Sequence, residues 1–166
     1  DGETILEIGC GPGLALQELL RRPELARAIG IDWSPIMLAQ AAQRNREALG
    51  SQRLSLLRGD FARLPLRDET TDGVLAVNVV YFMQKLDAVR ECYRVLRTGG
   101  RITLYATAES AMRNWPFASQ DTHRWFDREN LAGLLTNAGF AREQTRIEEV
   151  DAGFGVAGLL AVAHKS

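Results

Sequence analysis

Apolar positions fall into two rhythms along this chain, short near-continuous runs and stripes at helical spacing, and the two alternate almost from end to end. Residues 4–8 (TILEI) form a mostly apolar run that stops at glycine, as a buried strand does. Leu14, Leu16, Leu19 and Leu20 then mark one helical face that must end before Pro23. A second strand is expected over residues 28–31, closed by Asp32. Ser34 followed by Pro35 opens a helix, with a hydroxyl at the N-cap and proline in the first turn; Ile36, Met37 and Ala41 continue it, and Gly50 can end it. Residues 54–57 and 73–77 read as the third and fourth strands, separated by a charged, Pro65-containing link over 63–71. Leu86, Val89, Tyr93 and Leu96 return to helical spacing, and Gly99-Gly100 is expected to stop that helix before a fifth strand at 101–105. Asp127 caps a helix carrying Leu131, Leu134 and Leu135 and ending at Gly139. Residues 142–150 and 158–163 read as two strands joined by a glycine-rich turn.

This order predicts an α/β fold: a Rossmann-like, doubly wound, mostly parallel seven-stranded sheet with helices on both faces and a C-terminal antiparallel hairpin. Such sheets bind ligands beyond the carboxyl ends of their strands, where the strand order reverses. Residues at strand ends therefore carry the functional signal.

Composition narrows the classes. The 166 residues make one domain by length, spanning 1–166, and 46% hydrophobic with 25% charged residues is the make-up of an ordinary globular core. A formal net charge of -1 and a pI near 6.2 supply no basic field for a phosphate backbone, so no nucleic-acid partner is expected. Cys10 and Cys92 form neither a CxxC pair nor a Cys/His cluster, so no metal site is expected. No apolar stretch reaches the roughly 20 residues that span a bilayer, and no signal peptide opens the chain. A reducing, cytoplasmic setting follows as the expectation. Asp1 stands only a few residues ahead of the first strand, so the expected domain lacks an N-terminal cap segment or is a fragment of something longer.

The first strand runs into Glu7-Ile8-Gly9-Cys10-Gly11-Pro12-Gly13, directly before a helix. Glycines there permit positive φ and close approach of a ligand to the backbone, and the helix start behind them offers free N–H groups. The dinucleotide fingerprint G-x-G-x-x-G fails in both registers, because Leu14 or Leu16 stands where the third glycine belongs; no Gly-Lys-Ser/Thr follows for a P-loop. Asp32 closes the second strand about 20 residues on, where an acid can accept two ribose hydroxyls.

The remaining pattern, E-x-G-x-G-x-G, resembles the class I S-adenosylmethionine (SAM)-dependent methyltransferases, and most closely the small-molecule branch called methyltransferase type 11. The likeness extends from Thr4 to about Gly139, with its parts in the family's order. It implies SAM as cofactor, converted to S-adenosylhomocysteine, with Glu7, Gly9, Cys10, Gly11 and Gly13 around its methionine portion. The run from Ile31 to Leu38 is similar to the family's I-D-x-S-x-x-M-L element, implying ribose binding by Asp32 and an adenine flanked by Trp33 and Met37. Core packing is the other reading of Met37. Gly59-Asp60-Phe61 with Leu64-Pro65 resembles G-D-x-x-x-L-P, implying that Asp60 accepts from the adenine amino group; a surface-turn acid is the plainer alternative. Asn78 and Val79, at the end of strand four, are expected beside the cofactor through backbone atoms, and Tyr81 either faces the substrate or packs in the core.

The acceptor is expected to be a small molecule. Residues 106–128 lack periodicity, follow a strand end and concentrate Trp115, Phe117, Trp125 and Phe126, as a loop serving a flat or apolar acceptor would. The same aromatics could instead seal the sheet edge. His123 is the better placed of two histidines for proton transfer, though a structural or exposed histidine is the plainer reading. His123 and Tyr81 are thus weak catalytic candidates, and no catalytic residue is assigned. Two other readings compete with an active methyltransferase: a non-catalytic SAM-binding or scaffold domain, and an NAD-dependent oxidoreductase that shares the α/β pattern but not the glycine spacing. Neither the oligomeric state nor the acceptor atom is encoded in these motifs.

Overall fold

A computed structural model describes residues 2–79, 86–107, 127–151 and 157–166. The chain runs β1 (Glu3–Ile8), α1 (Leu14–Leu19), β2 (Leu25–Asp32), α2 (Pro35–Arg44), α3 (Arg46–Gly50), β3 (Leu54–Arg58), β4 (Thr71–Val77), α4 (Leu86–Val95) and β5 (Leu96–Thr107). It continues with α5 (Arg128–Ala138), a 3-10 turn (Arg142–Gln144), β6 (Thr145–Asp151) and β7 (Ala157–His164).

The strands form one seven-stranded sheet in the order β3-β2-β1-β4-β5-β7-β6. Pairs among β1 to β5 are parallel. β7 joins β5 and β6 antiparallel, which is the expected C-terminal hairpin. From β1 the chain winds outward to β2 and β3, then returns to place β4 on the other side of β1. The order therefore reverses between β1 and β4, and a crevice opens at their carboxyl ends.

Alternation along β1 explains the two cores. Leu6 and Ile8 join Ile29, Ile31, Val74, Val89, Cys92, Leu131 and Leu135 on the face covered by α4 and α5. Ile5 belongs to the opposite cluster with Cys10, Leu16, Leu25, Ala28 and Leu54, under α1 to α3. Both faces being covered, the central strands read as nearly continuous apolar runs, which is why the strand pattern was visible in the sequence.

Several boundaries differ from the sequence expectation: β2 starts at Leu25, three residues early, residues 142–144 form a 3-10 turn before β6 starts at Thr145, and two further differences have a clear physical reason. The helix after Leu86 ends at Val95, and Leu96 opens β5, which passes through Gly99-Gly100 instead of starting after it. Leu96 pairs with Thr71 and is fully buried, so its apolar side chain marked a strand, not a fourth helical contact. The ladder shifts register between Thr71 and Gly73, and Gly99, at φ 80°, takes up the irregularity while its N–H donates to the Lys165 carbonyl.

The helix expected to reach Gly50 breaks at Asn45 into α2 and α3. Asn45 is buried, and its Nδ2 donates to the carbonyls of Ala41 and of Gly13, each at 3.0 Å. The amide thus interrupts one helix in order to hold the start of another. Asn45→Ala removes these two side-chain bonds and leaves the carbonyls only their backbone donors, Gln17 N–H on Gly13 and Asn45 N–H on Ala41, and equilibrium urea unfolding is expected to show a loss of about 1–3 kcal/mol for the two bonds.

Candidate cofactor-binding site

The turn after β1 is built by backbone geometry and one carboxylate. Gly9, Gly11 and Gly13 all adopt positive φ, at 67°, 50° and 78°. At Gly9 a Cβ would come within 2.5 Å of Val79 Cγ2, and at Gly13 within 2.6 Å of Asn45 Nδ2, so glycine is demanded there twice over, by conformation and by space. The N–H groups of Gly9 and Cys10 donate to the Ile31 carbonyl at 2.8 and 3.1 Å, which anchors the turn to the end of β2.

Asp32, the last residue of β2, is buried and accepts two backbone bonds, Oδ2 from Gly11 N–H and Oδ1 from Ser34 N–H, each at 2.9 Å. One side chain thereby joins the glycine turn to the start of α2, whose N-cap Ser34 accepts from Met37 N–H at 3.4 Å. A carboxylate has about four lone-pair sites, so about two remain for hydroxyl donors.

A cleft of about 870 Å³ lies beside this carboxylate, lined by Gly9, Asp32, Trp33, Arg58, Gly59, Asp60, Phe61, Val77, Asn78 and Val79. These residues come from the carboxyl ends of β1, β2, β3 and β4, four neighbouring strands around the reversal point. Trp33 is 71% exposed, a large apolar surface left standing at the mouth. Phe61 and Val79 are buried at the floor. Asp60 is exposed; its Oδ1 accepts from Ala62 N–H at 3.0 Å, and its backbone closes a turn with Arg63. Asn78 sits at φ 53°, and its Oδ1 accepts from both the N–H and the hydroxyl of Thr107, each at 3.0 Å, linking the ends of β4 and β5.

Seven of the residues singled out from sequence thus meet in one cleft: Gly9, Asp32, Trp33, Asp60, Phe61, Asn78 and Val79. Glu7, Cys10, Gly11, Gly13 and Met37 stand behind or beside it and are not among its lining residues. Tyr81 and His123 lie outside the described residues, as do Trp115, Phe117, Trp125 and Phe126. Arg58, Gly59, Val77 and the strut Asn45 were not singled out as site residues. Arg58 and Val77 are the last residues of β3 and β4, so the strand-end rule itself would have flagged them. Arg58 Nε donates to the Trp33 carbonyl at 3.1 Å and so braces the backbone beneath the tryptophan.

Glu7 is the next-to-last residue of β1, paired between Gly30 and Leu75, on the α1 face. It is 3% exposed, and Oε2 is buried with no hydrogen-bond partner among the described residues. Burial pushes its carboxyl up to about 8; a hydrogen bond from the Leu16 backbone opposes the shift and the nearby Asp32 charge adds to it. Burial likewise pushes the Cys10 thiol up to about 12, with the Glu7 and Asp32 charges adding to it, which leaves the thiol protonated and unreactive at neutral pH. Among the described residues no group of three or more His, Cys, Asp or Glu side chains is placed to hold a metal ion. No described helix is long and apolar enough to cross a membrane.

Comparisons with known proteins give the family and the fold. The family model described as "Methyltransferase domain", type 11, matches residues 6–104, and the chain belongs to that family. The uncharacterized methyltransferase YdaC of Bacillus subtilis is 30% identical over 140 residues, covering 84% of this chain and 72% of that protein. A Mycolicibacterium smegmatis protein named "probable S-adenosylmethionine-dependent methyltransferase" is 32% identical over 149 residues, covering 87% of this chain and 54% of its own length. In fold, a SAM-dependent methyltransferase of Thermotoga maritima superposes with a TM-score of 0.77 at 22% identity, over 100% of this chain and 83% of that one. The sheet is the class I methyltransferase fold, and family and fold together imply SAM as the cofactor.

The residues present suit that cofactor. Asp32 keeps lone pairs for a ribose, Trp33 and Phe61 offer apolar surface for a base, and Glu7 has a buried oxygen without a partner among the described residues. Glu7 also gives the cofactor-free protein a testable pH dependence. Its folded value lies above the ordinary 4.5, so the folded state holds a proton that the unfolded chain has released. That contribution to stability is present in full below the unfolded value and is lost as pH rises toward about 8. Thermal unfolding across this window is expected to show a falling midpoint in the wild type and a flatter profile in Glu7→Gln; identical profiles for the two would remove the assignment.

Proposed function

We propose that this domain is the catalytic core of a SAM-dependent methyltransferase that transfers a methyl group to a small-molecule acceptor. The observation that carries the reading is Asp32. A buried carboxylate tied to the glycine turn and to the start of α2, with acceptor capacity left over, opens onto a cleft whose other walls are Trp33, Phe61, Asn78 and Val79. In this reading Asp32 accepts from the ribose hydroxyls, Asp60 accepts from the adenine amino group, and Trp33 covers the base with its flat face. Met37 packs beside the base or in the core. Asn78 and Val79 contact the cofactor through backbone atoms. Gly9, Cys10, Gly11 and Gly13 carry the methionine portion, and the Glu7 carboxylate answers its ammonium group.

When bound, SAM supplies an already activated methyl group on its sulfonium, so the difficult chemistry resides in the cofactor. What the protein must add is position: an acceptor atom held in line with the bond that breaks, an arrangement worth roughly 7–11 kcal/mol of the barrier in well-oriented reactions. A side-chain base is required only for an acceptor that stays protonated at working pH, and Tyr81 and His123 are the candidates for that task. The net charge of -1 favours a small acceptor over a nucleic acid. Two buried free cysteines fit a reducing, cytoplasmic setting.

Calorimetry tests the cofactor half of this reading. Purified wild-type protein is expected to bind SAM and S-adenosylhomocysteine in the micromolar range, with binding lost in Asp32→Ala. Heat from NAD and none from either SAM species would overturn it. A labelled-SAM screen over small hydroxyl, amine, thiol and carbon acceptors tests the transfer half; binding without turnover on any acceptor would favour a non-catalytic SAM-binding domain.

A further inference from the structure

The link between β3 and β4 carries no regular secondary structure, yet it is held by a dense set of charged contacts. Its first part is the turn in which Arg63 N–H donates to the Asp60 carbonyl at 3.1 Å. The next residue, Leu64, is buried and pinned on both sides of its peptide: its N–H donates to Glu91 Oε2 at 2.8 Å, and its carbonyl accepts from Arg94 Nη2 at 3.2 Å. Arg94 uses the rest of its fork as fully. Nε donates to Glu91 Oε1 at 2.7 Å, Nη2 also donates to Glu91 Oε2 at 2.7 Å, and Nη1 donates to the Leu66 carbonyl at 2.9 Å and to Asp68 Oδ1 at 2.7 Å. The backbone closes the seam beyond this point, with Glu69 and Thr70 N–H groups donating to the carbonyls of Arg94 and Val95.

Both partners of this pair sit on α4, three residues apart, with side chains 18% and 30% exposed. Arg94, foremost, holds the Glu91 carboxyl below the ordinary carboxylate range, so the pair stays ionised through neutral pH. α4 follows the Asn78–Val79 wall of the cleft in the chain, while the pinned link follows the Asp60–Phe61 wall. The two walls meet over the glycine turn: from a Cβ built on Gly9, Val79 Cγ2 is 2.5 Å away and Phe61 Cζ 3.6 Å. Phe61, Leu64, Val79, Val89 and Cys92 belong to one buried cluster, so a shift of the link is passed to both walls through close packing.

We infer that Glu91 and Arg94 are positioning residues of the cofactor cleft, which set the separation of its Asp60–Phe61 and Asn78–Val79 walls by fastening the link at Leu64 and Leu66 to α4. Neither side chain lines the cleft, and neither is a catalytic residue. The inference rests on the cofactor reading above, and it assigns to an ion pair on the far side of the link a share of the affinity for the adenosine half.

The geometry of the guanidinium is what the position requires. Five N–H donors in a planar fork reach two carbonyls and two carboxylates together, whereas an ammonium is a point charge with three donors on one nitrogen. Arg94→Lys and Glu91→Gln are therefore the variants of choice, since each preserves size and most of the packing. Dissociation constants are measured by calorimetry for two probes, S-adenosylhomocysteine and 5′-methylthioadenosine, the second lacking the amino-acid portion. Folding is checked alongside by circular dichroism and thermal unfolding. The expected result for both variants is a folded protein whose dissociation constant rises about tenfold or more for both probes, one decade being about 1.4 kcal/mol. A purely structural pair would lower the unfolding midpoint and leave both constants at their wild-type values in the folded protein, which would overturn the inference. Weakening seen with S-adenosylhomocysteine alone would overturn it too, because the clamp acts at the adenosine end. A wild-type protein that binds neither probe would instead defeat the cofactor reading.

Discussion

The buried carboxylate of Asp32 is the interaction on which the rest of the arrangement depends. It receives the Gly11 N–H from the turn after β1 and the Ser34 N–H from the start of α2, so the glycine turn, the end of β2 and the start of α2 converge on one side chain. Without it, the turn would still be tied to the Ile31 carbonyl, but two backbone donors in the interior would lose a charged acceptor. Hydrogen bonds to a charged group are among the stronger ones, and donors left unmade in a buried site carry a desolvation penalty. The same carboxylate that shapes the turn also lines the cleft, so in the proposed reading local folding and cofactor recognition draw on the same atoms.

Much of this was readable in the sequence because its signals are local. The Ser34-Pro35 start, the Asp127 cap and the Gly139 stop each depend on a few neighbouring residues, and all three appear as expected. The cleft was legible for a related reason: in a parallel sheet the useful residues are those at strand ends, and strand ends are where apolar runs stop. What escaped was non-local. Leu96 has helical spacing from Tyr93, yet its pairing with Thr71 on a strand that precedes it by about 25 residues decides its state, and no periodicity within α4 contains that information. Asn45 looked like one more polar residue on a helix; its importance is a bond to Gly13, 32 residues earlier.

Glu7 shows a different limit. From sequence it is an acid in a glycine-rich pattern, and its spacing cannot tell a solvated carboxylate from a buried one. The sheet decides: position seven shares a face with Ile5, beneath α1, where Leu16 and Cys10 fill the space that the absent side chain of Gly30 leaves open. A carboxyl there is proton-bound near neutral pH unless a positive charge arrives. Such a group is a poor contributor to the stability of the empty domain, and it makes sense as a group whose partner comes with a ligand.

The division of labour across the sheet follows from these placements. Between β1 and β3 the strand ends are fastened by short-range backbone contacts, the glycine turn to Ile31 and Asp32, the Arg58 side chain to the Trp33 carbonyl. Between β3 and β4 the chain must cross from one side of β1 to the other, and no described strand pairs with the crossing link. The Glu91–Arg94 pair takes the place of that ladder, with the guanidinium capping the carbonyls of Leu64 and Leu66 as a strand partner would cap them through N–H groups. Ion pairs at a protein surface contribute little on their own. A partly buried pair that also satisfies backbone groups is worth more in position than in energy, because it converts an irregular link into a wall of fixed place. The cleft end of this domain is thus built from strand ends, a carboxylate and a charged clamp, each fastened to its neighbour by hydrogen bonds to the backbone.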